Sequence, residues 1–91
     1  MVKEFFSTQI GYGEVINRIE EDRRVNDGID IVYATKESRV YHIDDATVVV
    51  ASSKNNCTNF TLGSRNREGI TSAKSRLDET IESKLVEGVM I

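Results

Sequence analysis

The stretch "IDIVYATKESRVYHIDDATVVVASSKNNCTNFTL", residues 29–62, decides the fold. Four short runs inside it, "IDIVYAT", "RVYHI", "ATVVVAS" and "CTNFTL", are rich in β-branched and aromatic residues, which suit the pleated surface of a strand. The segments between them, "KES", "DD" and "SKNN", are short and polar. Parallel strands need crossovers of a dozen residues or more, so these connections predict antiparallel hairpins and a four-stranded antiparallel β-meander. In the last run Thr58, Phe60 and Leu62 alternate with Cys57, Asn59 and Thr61, which predicts a strand wet on one side and placed at an edge. "VVV" at 48–50 points apolar side chains to both faces, and so predicts cover on both, from a second layer or from a partner chain.

Before this stretch, Val15, Ile16 and Ile19 form one narrow apolar stripe among Arg18, Glu20, Glu21, Asp22 and Arg23, which predicts a short helix from Glu14 to about Arg24. It should stop at "NDG", where Asn26, Asp27 and Gly28 supply a left-handed turn. The first ten residues satisfy two patterns, with Phe5 and Phe6 expected in the core under either: Phe6 and Ile10 are four apart as on a helix, while Phe6, Thr8 and Ile10 alternate as on a strand. After the stretch, Ile70, Ala73, Leu77, Ile81, Leu85 and Val89 recur at spacings of three and four, predicting a helix from Asn66 or Thr71 to Val89 that lies across the sheet, with either residue as N-cap. The whole is an α+β fold: a meander flanked by a short N-terminal helix and a longer C-terminal helix packed on the sheet. The 91 residues, 38% hydrophobic and 30% charged, suit a single domain spanning 1–91.

Several function classes find little support. No apolar run approaches the ~20 residues of a membrane span, and "MVKEFFSTQ" lacks the long apolar stretch of a secretory signal, so a cytoplasmic protein without membrane contact is expected. Cys57 and His42 are the only cysteine and histidine, which leaves no disulfide and no zinc cluster to build and makes a metal or other cofactor unexpected. They form a conceivable nucleophile and base, but no spacing requires them to meet, and a lone cysteine is most often a small buried hydrophobe, so an enzyme is not expected. Asp44 and Asp45 read as turn residues, since adjacent strand positions point to opposite faces and share a metal poorly. "GYGEV" at 11–15 resembles a fragment of a phosphate loop, yet it lacks a third glycine and a Gly-Lys-Ser ending, and Glu14 stands where phosphate would sit. It reads better as punctuation, with Gly11 in the turn, Glu14 complementing the helix dipole, and Tyr12 free to contact a partner.

Charge is unevenly distributed. Within residues 52–76, Lys54, Arg65, Arg67, Lys74 and Arg76 face only Glu68, a net of +4 in a chain whose formal charge is −3. Arginines with hydroxyl and amide neighbours such as Asn66 are the residue types that meet carboxylate or phosphate. Two ligand classes fit this basic segment. One is a protein target with an acidic surface, bound through the loop "GSRNREG" and an exposed edge strand. The chain is similar in size and style to the compact inhibitors that phages and mobile elements encode against host or defence proteins, although no motif of a particular family is present. The other is an anion, a nucleotide or an RNA backbone. Phe60, the aromatic residue within the basic segment, alternates inward, so base stacking is not expected. The apolar end "VEGVMI", with Val86, Val89, Met90 and Ile91, together with the two-sided "VVV" strand, predicts a homodimer.

Overall fold

The structure, a computed structural model, describes residues 1–89, so the expectation for Met90 and Ile91 lies outside the described residues. The elements are β1 (Val2–Thr8), α1 (Tyr12–Val25), β2 (Ile29–Ala34), β3 (Ser38–Ile43), β4 (Ala46–Ser52), β5 (Thr58–Ser64), α2 (Arg67–Ile81) and β6 (Val86–Glu87). The α+β class and the antiparallel pairing hold, but the sheet has six strands rather than four, in the order β2-β3-β4-β5-β1-β6. The meander of β2 to β5 is intact at one end. The ambiguous N-terminal segment supplies the fifth strand, with Phe6 opposite Phe60 and Thr8 opposite Thr58.

That insertion corrects the placement of residues 57–62. β5 lies between β4 and β1, so it is an interior strand, and the edges of the sheet are β2 and the two-residue β6. Asn59, Thr61 and Gly63 are polar or small because they stand on a sheet face with no helix over it, which imitates the alternation of an edge strand.

α1 begins at Gly11, whose φ of −65° any residue adopts; a Cβ there would come within 3.0 Å of the Asn56 side chain. The helix ends with Asn26 in an extended conformation, and the positive φ falls two residues later, at Gly28. α2 starts at Asn66, whose side chain accepts from the Gly69 amide at 2.9 Å. It stops at Ile81 rather than Val89, because Glu82 turns left-handed (φ 55°) and the Asp78 carboxylate accepts the Leu85 amide at 2.8 Å. Leu85 still reaches the core, by way of a turn rather than a helical face, and Val86–Glu87 then pair with Ser7 and Phe6 of β1.

Both helices cover one face. Val15, Ile16 and Ile19 of α1 and Ile70, Ala73, Leu77 and Ile81 of α2 pack on Phe6, Tyr41, Ile43, Val48, Val50, Phe60 and Leu62. The polar side chains at the seam are matched to one another. Asp22 accepts from Arg76 Nε (3.1 Å) and Nη2 (3.2 Å) as well as from Thr80 and Asn26, and Arg18 donates to the Ile81 carbonyl. Tyr41, fully buried, donates its hydroxyl to Glu20 at 2.7 Å. Burial, reinforced by that carboxylate, raises the Tyr41 pKa to about 12. Burial alone would raise Glu20 as well, but the hydrogen bonds from Tyr41 and Arg23 and the Arg39 charge outweigh it and hold the carboxyl below its usual range.

Close approach of α2 to β5 depends on Gly69. A Cβ there would stand 2.0 Å from Ser64 Oγ and 2.8 Å from Ser64 Cβ; rotation moves the hydroxyl aside but not the Cβ. Gly69→Ala gains about 1 kcal/mol of helix propensity, yet it is expected to lose roughly 1–3 kcal/mol to the overlap. A thermal melt should therefore show net destabilisation. A variant more stable than the parent would mean that α2 slides away from β5 at no cost.

Candidate protein interface

β2 is the most exposed of the strands longer than two residues. Only Ile29 is buried, while Ile31, Val32 and Tyr33 are 37%, 53% and 62% exposed. Its inner side pairs with β3, Ile31 opposite Tyr41 and Tyr33 opposite Val40, with Val32 as the extra residue of a bulge. Its outer side has no strand partner among the described residues. Val25, at the end of α1, adds a further exposed apolar side chain just before β2 in the chain. An unpaired row of backbone N–H and C=O groups beside large apolar side chains is a template for another strand.

The sheet face away from the helices is the second uncovered surface. The register places Lys3, Gly63, Thr47, His42 and Asp30 in one row across it, and Phe5, Thr61, Val49, Val40 and Tyr33 in the next. Apart from buried Ser7, every strand position on this face is half-buried or exposed; Phe5, at 46%, is not the core residue expected, because strand alternation sends only Phe6 inward. Val49, the outward member of "VVV", is thus half-buried by its neighbours within the sheet and has no second layer over it.

The basic residues do not gather. Arg76 is taken up by Asp22 and by the Asp27 carbonyl (2.8 Å), Lys74 by Asp78 (2.9 Å) with the Phe6 ring 5.6 Å from its Nζ, and Arg67 by Glu4 (3.1 Å). Asn66 is occupied as the cap of α2. Arg65 and Lys54 are exposed with no ion-pair partner among the described residues, and they stand at opposite ends of β5, about 20 Å apart at 3.3 Å per residue. Tyr12 is half-buried against the core, its hydroxyl enclosed without a hydrogen-bond partner among the described residues. Burial raises its pKa against the opposing charge of Arg39.

Cys57 lies just before β5, and His42 is level with Gly63 near the other end of that strand, so thiol and imidazole are separated by roughly 20 Å of sheet. Among the described residues no cluster of three or more His, Cys, Asp or Glu is placed to hold a metal ion, and no helix is long and apolar enough to cross a membrane.

β2 is the element that reading of the residues missed as a contact surface. "IVY" at 31–33 carries the same signal as "VVV", three consecutive apolar residues, and only strand order separates an exposed edge from an interior strand. Comparison of the chain with known protein families, curated proteins and solved structures finds no match.

Proposed function

We propose that the protein is a small non-enzymatic protein-binding module, of the kind phages and mobile elements encode to block a host or defence protein, and that its docking element is the free edge of β2. The observation that carries this reading is the run Ile31, Val32 and Tyr33, exposed on a strand with no partner on its outer side. Strand addition suits such an edge: main-chain hydrogen bonds supply affinity, and alternate side chains supply selectivity. The Ser52 amide reaches the Glu37 carbonyl at 3.0 Å, so Lys54 stands at the same end of the sheet as Lys36. Lys36, Glu37 and Lys54, all exposed, give that end of the sheet a net charge of +1, which suits a partner with an acidic surface. Blocking needs only occupancy, which asks for no catalytic group.

An anion held by the basic segment has less behind it. Three of its five cations, Arg67, Lys74 and Arg76, already face carboxylates of this chain.

The test is Val32→Lys, which places a charge on the edge in the way natural edge strands repel neighbours. With a partner identified by affinity purification from the native host, the variant is expected to lose at least about tenfold in affinity, and β2 amides of the parent should gain protection from hydrogen exchange on binding. Equal affinity of parent and variant for that partner would refute docking at β2.

A further inference from the structure

We infer that the uncovered sheet face is the interface of a homodimer, with a two-fold axis parallel to the strands passing at Val49. Its first support is composition. In a chain that is 30% charged, Lys3 and Asp30 are the only residues of full charge among the strand positions of this face. A solvated antiparallel face normally carries charged residues among its outward polar ones; here the uncharged polar positions Asn59, Thr61, Thr47 and Ser38 surround an apolar group of Phe5, Val49, Val40 and Tyr33.

The second support is the arrangement of those two charges. Lys3 is on β1 and Asp30 is on β2, in the same row and four strands apart, about 19 Å at 4.8 Å per strand. β4 lies midway, with Thr47 at the centre of that row and Val49 at the centre of the next. A two-fold along β4 therefore places Lys3 over Asp30 of the partner subunit, and Asp30 over Lys3 of the partner subunit. In the same operation Phe5 meets Tyr33 of the partner subunit, Thr61 meets Val40 of the partner subunit, and Val49 meets Val49 of the partner subunit on the axis. Sheets stacked this way have their strands nearly aligned, about 10 Å apart, which is the ordinary geometry of a β-sandwich. A two-fold running across the strands would instead stack β1 on β1, gathering both lysines at one side and both aspartates at the other. The charge pattern selects the first arrangement, and with it a second copy of this chain as the occupant, because the face is complementary to itself. The backbone edge of β2 stays at the rim, with Ile31 on the helix side of the sheet, so docking there needs only Tyr33 in common with this interface.

Sedimentation velocity from about 1 µM to about 1 mM tests it, with circular dichroism melts showing that each variant is folded. The parent should dimerise within that range. Val49→Lys puts two like charges on the axis and should leave only monomer. Lys3→Asp and Asp30→Lys each create two like-charge contacts and should raise the dissociation constant at least about tenfold. The double variant Lys3→Asp with Asp30→Lys should recover the parent value, a rescue that residues 19 Å apart in one chain cannot provide internally. Both charged positions are exposed, so this pair decides the matter even if Val49→Lys fails to fold. A parent that is monomeric throughout, a dimer indifferent to Val49→Lys, or a double variant no tighter than the single ones would overturn the inference.

Discussion

Replacing Phe60 by alanine is expected to remove about 3–5 kcal/mol of folding stability, the ordinary cost of emptying a buried phenylalanine site. Phe60 is fully buried at the middle of β5, opposite Val50 on one side and Phe6 on the other. Both helices pack on this face, so the surroundings have little freedom to collapse into the void. A domain of this size holds roughly 5–14 kcal/mol in total, at 0.05–0.15 kcal/mol per residue. The loss is therefore between about a fifth and the whole of the parent's stability. Urea titration measures the loss directly, and Thr61→Ala, on the uncovered face of the same strand, is the control, expected to cost less than about 1 kcal/mol. Equal losses for the two would mean that the core is not where the sheet register puts it.

Asp22→Ala is the second large effect, expected at about 2–4 kcal/mol. Asp22 is the point at which α1 is tied to α2: it takes both nitrogens of the Arg76 fork, the Thr80 hydroxyl and the Asn26 amide. Removing the carboxylate leaves Arg76 largely enclosed, with the Asp27 carbonyl as a hydrogen-bond acceptor and the charges of Asp44 and Glu79 farther off. The same contacts make stability depend on pH. The Arg76 hydrogen bonds, with those of Thr80 and Asn26, outweigh burial and hold the Asp22 pKa at about 2, against 3.8 in an unstructured chain. A depressed carboxyl stabilises the fold fully above its unfolded value and ceases to do so as the pH falls through the folded one. The parent should therefore lose about 2 kcal/mol, at 1.36 kcal/mol per pH unit, between roughly pH 5 and pH 2, and Asp22→Asn should not lose that share. If urea midpoints of parent and Asp22→Asn differ by a constant amount across this range, Asp22 is not the group responsible.

Local signals in the sequence carried far where one element settles its own conformation. The stripe Val15, Ile16 and Ile19 marked α1, and the spacing from Ile70 to Ile81 marked the buried face of α2. The short polar connections "KES" and "DD" marked hairpins that the structure contains, the second as a two-residue turn with Asp44 left-handed. The same signals failed where the answer lay in a distant partner. Phe6 became a strand residue because Phe60 stands opposite it, and nothing within the first ten residues separates that outcome from a helix. Leu85 continued the helical spacing of α2 by coincidence; the left-handed Glu82 turns the chain three residues earlier, and the Asp78 carboxylate holds the Leu85 amide after the turn. The cluster of positive charge between residues 52 and 76 was plain to read, but the acids that meet it, Glu4, Asp22 and Asp78, come from β1, α1 and α2.

The sequence by itself determined the class of the fold, the antiparallel meander and the core-facing stripes of the two helices, because hydrophobic period and turn chemistry are properties of neighbours in the chain. Strand order, the identity of the free edge and the fate of each cation were decided only by the tertiary structure. Each of these depends on which residues distant in the chain come within hydrogen-bonding or ion-pairing reach, and a pairing at 3 Å between positions fifty residues apart leaves no periodic trace in either segment.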